Sequence, residues 1–246
     1  CSDAQKTNGV MSITENLMRI GRFTSSGVWQ LMTNGRAAGT TGKPFETYCK
    51  QKAREKRLFR SITNDASSKP TSWGKYLEKR AFSKLDIEYS LTSDVTTEHP
   101  KIPNFAGSTD GLKFDVERTV FDIKCPFTLT AFCDMVECTT DEMLLKEFPE
   151  YFYQLIANAM IHNTKWCELI VYVPYMSELS DIRLGVKYEE NKQLQWIEYS
   201  EDYELPYIHP RSEYKDLNIL RFEAKQEYKD ALTERLLMAN ELIKTL

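Results

Sequence analysis

Apolar residues recur along the chain with two periods, which predict alternating helices and strands. A spacing of three or four residues predicts a helix, whereas alternation, or a short apolar run between turn residues, predicts a strand. Helices are predicted over 11–33 and 127–148 as short pieces, and over 44–60, 71–85, 149–163 and 223–246 as single elements. Strands are predicted over 87–91, 105–114, 119–124 and 169–173, with amphipathic strands around Lys192 over 181–200. This order predicts an α/β fold whose central mixed sheet is flanked by helices.

The boundaries of one helix and one strand carry sharper expectations. Thr71 or Ser72 is expected to cap the helix that runs to about Leu85, because short hydroxyl side chains accept hydrogen bonds from the first turn. The unbroken apolar run Leu169–Val173 is typical of a strand buried on both faces. A length of 246 residues fits one large domain.

Charge is distributed unevenly along the chain. The net charge is −4, yet residues 1–100 contain 16 lysines and arginines against 10 aspartates and glutamates, while residues 101–246 contain 16 against 26. Such an excess is compatible with a basic track for DNA in the N-terminal part. The basic helix at 50–60 either contacts DNA or a neighbouring subunit, or is a plain solvated face.

The composition disfavours several classes of protein. The longest apolar run falls far short of the roughly 18–20 residues that span a bilayer, and no leader with a charged and then an apolar part predicts secretion. Six irregularly spaced cysteines predict reduced thiols rather than a disulfide framework. None of the three histidines lies within four residues of a cysteine, which argues against common zinc sites. We therefore expect a cytoplasmic protein without membrane contact.

The segment TVFDIK at 119–124 is the strongest candidate for chemistry. Side chains of a strand alternate between its two faces, so Asp122 and Lys124 are predicted to share one face. The intervening apolar residues, Phe121 and Ile123, would then be buried on the other face. The pattern predicts a carboxylate and an ammonium side by side.

A short hairpin would add a second carboxylate to this face. If the chain reverses through a three-residue turn at Asp115–Glu117, Phe114 pairs with Arg118 and Asp110 falls opposite Asp122. Converging carboxylates repel each other unless a cation lies between them, and all-oxygen ligands suit Mg²⁺ or Mn²⁺. A metal and a lysine together suit the hydrolysis of a phosphodiester. The alternative is a surface hairpin with a salt-bridged Asp–Lys pair.

Two residues outside the hairpin are candidates to support such a site. Glu78 lies on the last helix before the strands and would approach from the side, although an exposed helical glutamate is usually only solvated. Gln154 lies on a strongly apolar helix, where a half-buried amide needs hydrogen-bond partners. The Gln154 amide would either form a hydrogen bond in the core or orient a water in the site.

Five motifs in one order resemble the lambda-exonuclease group, also called YqaJ-type viral recombinases, of the PD-(D/E)XK nuclease superfamily. The motifs are RIGRFTSSGV at 19–28, GKYLE with Glu78, STDG with Asp110, DIKCPFT with Asp122 and Lys124, and YFYQL with Gln154. The resemblance covers about residues 15–175. It implies a Mg²⁺-dependent 5′→3′ exonuclease acting on the ends of linear double-stranded DNA, with Mn²⁺ as a substitute. The cysteines argue against the iron–sulfur cluster of RecB-like nucleases, because the last of them is Cys167 and none follows in the C-terminal part.

The resemblance also implies roles for individual residues. Asp110 and Asp122 would bind the metal with the main-chain carbonyl of Ile123, and Lys124 would position or activate the attacking water. Glu78 and Gln154 would support the placement of metal and water. Glu78 would do so either from outside the set of direct metal ligands or by binding a second metal. The chain departs from the family pattern at Asp122, which is usually Glu, and at Thr109, which is usually Pro.

A second set of residues matches the family segment that binds the 5′-terminal phosphate. These residues are Arg19, Ser26 and Ser25. The hydroxyl-rich part of this segment is expected to begin a helix, where free N–H groups favour an anion. The alternative is an ordinary serine cap of a helix.

Partners and domain organisation follow from the same resemblance. It implies a trimeric ring of identical chains that supplies single strands to an annealing protein in phage-type recombination, encoded by a phage or prophage in a bacterial host. One nuclease domain at 1–246 is expected, with an N-terminal helical part at about 11–85, a catalytic core at about 71–175 and C-terminal strands and a helix at 176–246. Two alternatives remain, an endonuclease of the same superfamily and a silent module that binds DNA ends.

Overall fold

The structure, a computed structural model, describes residues 18–62, 68–92 and 96–246, so part of the predicted segment 11–33 lies outside it. Eight strands are described: β1 Phe23–Thr24, β2 Tyr89–Leu91, β3 Thr97–Glu98, β4 Phe105–Gly107, β5 Gly111–Lys113, β6 Thr119–Lys124, β7 Trp166–Tyr172 and β8 Leu217–Glu223. Eight α-helices are described: α1 Lys43–Leu58, α2 Lys69–Phe82, α3 Leu129–Glu137, α4 Asp141–Glu147, α5 Pro149–His162, α6 Leu179–Lys187, α7 Gln195–Tyr199 and α8 Gln226–Thr245.

The central sheet has five strands in the order β2-β5-β6-β7-β8. Strands β6 and β7 are parallel, and the other pairs are antiparallel. A second, three-stranded sheet has the order β1-β4-β3. The central sheet is therefore mixed, as predicted.

Two hydrophobic cores cover the two faces of the central sheet. One contains side chains of α5 and α8, such as Leu155 and Leu232, packed with Leu169 of β7. The other contains Trp73 of α2 and Ile182 of α6, packed with further residues of the sheet. Because β7 contributes to both cores, its run of apolar residues is buried on both faces, which confirms that expectation. The prediction of a central mixed sheet flanked by helices is confirmed.

The predicted cap of α2 is wrong by one turn. The helix begins at Lys69, and the Ser68 hydroxyl oxygen accepts a hydrogen bond from the Thr71 N–H at 3.3 Å. Pro70 occupies the first turn, where a missing N–H costs nothing. The cap therefore lies ahead of the proline, and Thr71 and Ser72 lie inside the helix.

Three strand and helix predictions are corrected. The segment 181–200 forms α6 and α7 rather than strands, because Leu179, Ile182 and Val186 bury one helical stripe. The predicted strand 105–114 is two strands, β4 and β5, which belong to different sheets. Within 11–33, the described residues are helical at 18–19 and in a 3-10 helix, Val28–Met32, but between these pieces they form the strand β1, which was not predicted.

The remaining helices agree with the predicted segments, including the two short helices α3 and α4 and the terminal helix α8. Helix α5 ends at His162 and is capped by Asn163, whose φ of 51° places it in the left-handed region that commonly closes a helix. Within the described ranges, no helix is both long and apolar enough to cross a membrane. The five cysteines among the described residues are free thiols.

Candidate active site

The β5–β6 hairpin has the predicted register. Gly111 faces Phe121, Leu112 faces Val120 and Lys113 faces Thr119, so continuing the ladder by one residue brings Asp110 opposite Asp122.

Gly111 leaves space for the Phe121 ring beside the hairpin. A Cβ atom on Gly111 would lie 2.1 Å from the Phe121 ring and 2.3 Å from the Ser90 carbonyl oxygen, so a larger residue would displace the ring or β2. Thr109, where the family pattern has proline, donates its hydroxyl to the Phe121 carbonyl at 2.8 Å. The residue that departs from the pattern therefore adds a hydrogen bond across the hairpin.

Strand β6 separates its polar and apolar side chains as predicted. Phe121 and Ile123 are buried in the core that contains α2 and α6. Asp122 and Lys124 lie on the opposite face, where the Lys124 ammonium pairs with Asp122 Oδ2. Asp122 is only 1% exposed, so this carboxylate is held in a medium where charge interactions are strong.

Gln154 of α5 lies against both residues. Its Nε2 donates to Asp122 Oδ1 at 2.8 Å, and its Oε1 accepts from the Lys124 ammonium at 3.4 Å. The amide therefore orients the carboxylate and the ammonium at the same time. Tyr151, one turn earlier on α5, places its ring centroid 5.0 Å from the Lys124 ammonium.

Asp110 joins this group through the main chain of β6. Its Oδ2 accepts a hydrogen bond from the Ile123 N–H at 2.6 Å. Within a strand, the N–H and C=O of one residue point to the same edge. The Ile123 carbonyl therefore points towards the edge of β6 that Asp110 contacts. Because the pairing of β5 with β6 begins at Gly111 and Phe121, β5 leaves this carbonyl unpaired on that edge.

Burial and repulsion make Asp110 difficult to ionise in the absence of a cation. Burial, followed by the charge of Asp122, raises the pKa of Asp110 to about 8, and the charge of Glu78 adds to this effect. Burial alone would lower the pKa of Lys124, but the charges of Asp122 and Asp110 outweigh it and raise that pKa. The site thus combines two carboxylates that disfavour ionising together with one firmly protonated lysine.

Glu78 approaches the site but does not complete a three-carboxylate cluster. It is half-buried on α2, and its charge acts on Asp110. Among the described residues, no three His, Cys, Asp or Glu side chains form a group able to hold a metal ion. The structure therefore brings together Asp110, Asp122, Lys124 and Gln154, with Glu78 at their edge.

These residues fit a hard divalent cation. The available donors are carboxylate and carbonyl oxygens, which Mg²⁺ and Mn²⁺ prefer. In the described part of the chain, the buried Asp122 Oδ2 has a charge contact with Lys124 but no hydrogen-bond partner. Two carboxylates and one carbonyl leave further positions for water and phosphate, which is the usual arrangement for Mg²⁺.

A cavity of about 330 Å³ lies beside the segment that resembles a phosphate-binding motif. Arg19 and Ser26 line it, whereas Ser25 is buried and is not among the lining residues. The expectation that the hydroxyl-rich part of this segment begins a helix is corrected, because the 3-10 helix begins at Val28 with Gly27 as its cap. Side chains and hydroxyls, rather than a helix end, therefore provide the polar groups of the cavity.

Two residues of α1 in this cavity were not predicted from the sequence. Lys52 and Glu55 are 6% and 1% exposed, and they form an ion pair at 2.9 Å. The only available signal was one acidic residue within the otherwise basic segment 50–60. That signal also fits a solvated surface, so the sequence did not distinguish the two.

A short stretch of chain connects the cavity with the acidic site. The Ser25 N–H donates to the Ala106 carbonyl at 3.1 Å, and Asp110 follows Ala106 by four residues. Four residues span at most roughly 14 Å. Asn158, one turn after Gln154 on α5, donates to the Ser108 carbonyl at 3.2 Å and supports this connection.

Comparison with solved structures relates this fold to known proteins. No protein-family model and no curated protein sequence matches the chain. An alkaline exonuclease, LHK-Exo from Laribacter hongkongensis, matches with a TM-score of 0.63 and 16% identity over 95% of this chain and 93% of that one. LHK-Exo in complex with dAMP matches with 0.61 and 18% identity over 95% of both chains.

A phage-related exonuclease from Haemophilus somnus 129PT matches with a TM-score of 0.59 and 12% identity over 91% of this chain and 94% of that one. At such low identities the matches establish a shared fold along nearly the whole chain. The described residues therefore have the fold of exonucleases, and the chemistry has to be argued from the site.

Proposed function

We propose that the protein is a metal-dependent deoxyribonuclease that degrades linear double-stranded DNA from its ends. The observation that carries this proposal is the convergence of Asp110, Asp122, Lys124 and Gln154 on one face of a sheet that has the fold of exonucleases. An isolated salt-bridged hairpin would not require a second buried carboxylate with a raised pKa. It would also not require an amide that contacts both charged groups.

Asp110, Asp122 and the Ile123 carbonyl would hold Mg²⁺, with Mn²⁺ as a substitute. When bound, the ion supplies a water of lowered pKa and a positive charge for the phosphate. Lys124 stays protonated beside the site and places a second positive group where charge develops. Gln154 keeps the Asp122 carboxylate and the Lys124 ammonium oriented, and Glu78 supports the site from its edge.

The Arg19 cavity supports the proposal that the protein acts on ends. We assign it the terminal 5′-phosphate of DNA, with Arg19 and Ser26 as ligands and Ser25 as a support for the loop. The Ser25–Ala106 hydrogen bond and the four residues from Ala106 to Asp110 connect the loop that carries Ser26 to the carboxylates. A terminal phosphate anchored in this cavity suits removal of short products from a 5′ end.

The wider assignments are part of the same proposal and rest on the motif resemblance. They are 5′→3′ polarity, a ring-shaped homotrimer, an annealing partner, and a role in phage-type recombination in the cytoplasm of a bacterial host. They also include one nuclease domain at 1–246, with an end-binding part at about 11–85, a core at about 71–175 and a C-terminal part at 176–246.

Closed circular and 5′-phosphorylated linear duplexes, incubated separately with protein and Mg²⁺, test the proposal. We expect the linear duplex to be degraded and the circle to survive. Cutting of the circle would show an endonuclease instead. Survival of linear DNA at equimolar protein with Mg²⁺ or Mn²⁺, with binding retained, would show a silent end-binding module.

A further inference from the structure

The wall of the Arg19 cavity formed by α1 contains a buried ammonium. Lys52 lines the cavity, yet only 6% of the residue is exposed. A buried ammonium is costly unless other groups pair with it or accept its hydrogen bonds. The contacts of Lys52 and of its partner Glu55 therefore indicate what the cavity is built to hold.

Glu55 already has a full set of hydrogen-bond donors. Its Oε2 accepts from the Lys52 ammonium at 2.9 Å and from the Gly21 N–H at 3.2 Å, and its Oε1 accepts from Gln51 at 2.9 Å. These hydrogen bonds and the Lys52 charge outweigh burial, so the pKa of Glu55 is lowered. The carboxylate is thus ionised and fully engaged within the protein.

Lys52, in contrast, has donors to spare. An ammonium has three N–H groups, and the hydrogen bond to Glu55 uses one of them. Its other contact within the described residues is with the Tyr48 ring, whose centroid lies 5.3 Å from the ammonium. The cavity side of the ammonium can therefore donate to a further, anionic partner.

Glu55 also holds the turn that carries Arg19. Gly21 has a φ of +66°, and a Cβ atom there would lie 2.3 Å from the Lys56 side chain, so the turn is seated closely on α1. The hydrogen bond from the Gly21 N–H to Glu55 fixes this contact. Arg19 and Lys52 therefore reach the same cavity from two elements that Glu55 joins.

We propose that Lys52 is a phosphate-binding residue that makes the cavity select a terminal phosphate monoester over a terminal hydroxyl. Arg19 and Lys52 contribute two positive charges and Glu55 one negative charge, which leaves a surplus of one. A phosphate monoester carries about −1.5 to −2 at neutral pH, and a hydroxyl end carries none. This inference rests on the proposed action at DNA ends, and Glu55 is its positioning residue.

The test compares a double variant with a matched control. Lys52→Met combined with Glu55→Gln removes the ammonium without leaving a buried carboxylate unpaired, and the amide oxygen introduced at position 55 can still accept from the Gly21 N–H. Lys50→Met removes the same charge from an exposed position of α1. Thermal unfolding of all variants shows whether each is folded before activity is compared.

The readout is the ratio of initial rates on otherwise identical linear duplexes with 5′-phosphate and 5′-hydroxyl ends. This ratio cancels general electrostatic attraction to DNA. We expect it to fall about tenfold in the double variant, the effect of one hydrogen bond between charged groups, and to stay unchanged in Lys50→Met. The affinity for the two duplexes without metal should show the same pattern independently of cleavage.

The outcomes separate this inference from the proposed function. If the double variant keeps the ratio while Arg19→Ala loses it, Lys52 is not a ligand although the cavity is correct. If the unmutated protein degrades linear DNA but prefers neither end, the cavity assignment and the Lys52 inference are both wrong. If nothing is degraded, the proposed function fails, and the affinities alone decide on Lys52.

Free phosphate could make the same contacts, so inorganic phosphate serves as a competitor. We expect it to weaken binding of the phosphorylated duplex, and not of the hydroxyl duplex, only at concentrations far above those of the duplex. Inorganic phosphate that binds as tightly as the phosphorylated duplex would assign the cavity to the free anion and overturn the inference.

Discussion

At the scale of single residues, the site depends on charges held out of water. Lys124 contacts Asp122 and Gln154 on one face of β6, and Asp110 reaches the same strand through the Ile123 N–H. Asp122 is buried, so its contacts with Lys124 and Gln154 are made where charge interactions are strong. Substitutions here are therefore expected to change the chemistry, and those that alter the charge of a buried group are expected to change stability as well.

Replacing Lys124 with alanine should lower the rate of DNA degradation at least about a hundredfold, the usual cost of removing one preorganised donor to a transition state. Binding of duplex DNA should change by less than about fivefold, because one contact among many is lost. Single-turnover rates and affinities measure the two effects. Lys146→Ala, at a lysine whose side chain is 81% exposed, is the control. Near-normal cleavage by Lys124→Ala would refute the assignment.

Asp110→Asn should stabilise the metal-free protein while abolishing its activity. The pKa of Asp110 is raised to about 8 by burial first and by Asp122 next. The folded state therefore loses stability as pH rises from the ordinary value of 3.8 to about 8, and asparagine removes that loss. At pH 8 in EDTA we expect a gain of at least about 1 kcal/mol, or roughly 2–4 °C in Tm.

The effect of metal ions on thermal unfolding provides a second test of the role of Asp110. Mg²⁺ or Mn²⁺ should raise the Tm of the unmutated protein, because a ligand that binds only the folded state stabilises it, and should leave Asp110→Asn unchanged. At pH 4 the variant and the unmutated protein should unfold at similar temperatures. A destabilised variant at pH 8 would contradict the role given to carboxylate repulsion.

At the scale of elements, a carboxylate joins α2 to the segment that follows β7. Glu178 accepts hydrogen bonds from the Tyr175 N–H at 2.8 Å and from Arg80 at 3.2 Å, and it pairs with Lys84 at 3.0 Å. Burial raises its pKa, but these partners outweigh burial and lower it. The interaction holds α2, which carries Glu78, against the sheet.

Glu178→Gln is expected to cost about 1–2 kcal/mol at pH 7, since charge-assisted hydrogen bonds to a half-buried group are lost. A lowered pKa means that the stabilisation is present above the ordinary value of 4.5 and is lost as pH falls below it. The difference between variant and unmutated protein should therefore shrink below pH 4. Urea unfolding at pH 7 and pH 3.5 measures it, with the exposed Glu147→Gln as control. A difference independent of pH would contradict this account.

At the scale of the whole molecule, two sites lie at opposite ends of a short connection. The segment from Ala106 to Asp110 connects the Arg19 cavity to the carboxylates, because Ala106 accepts a hydrogen bond from Ser25. Helix α5 supports this segment through the hydrogen bond from Asn158 to the Ser108 carbonyl. An enzyme arranged in this way would bind an end and cut nearby. A ring of several chains would add retention on the DNA between successive cuts.

At this scale we predict that the protein forms a trimer. Light scattering after gel filtration should give about three times the mass of one chain, 28.6 kDa. With an excess of unlabelled competitor DNA added after the start, degradation of labelled linear DNA should continue, because an enclosed strand does not dissociate between cuts. A monomer whose degradation stops on addition of competitor would refute the ring.

The sequence by itself determined the parts that depend on neighbours along the chain. Alternation in TVFDIK and a three-residue turn placed Asp110 opposite Asp122, and the β5–β6 ladder confirms that register. The single helices were predictable because their apolar stripes have a helical period. The hairpin is a local structure, so sequence separation is short and few alternatives compete.

Only the tertiary structure decided features that depend on distant partners. The split of 105–114 between two sheets arises because β1 pairs with β4, more than eighty residues away in the chain. The cavity likewise forms only where α1 meets the Arg19 turn, so the Lys52–Glu55 pair was indistinguishable from surface charge in the sequence. The 181–200 helices were missed because short amphipathic segments fit both periods until packing selects one. Local periodicity specifies elements, and long-range packing specifies which of their side chains meet.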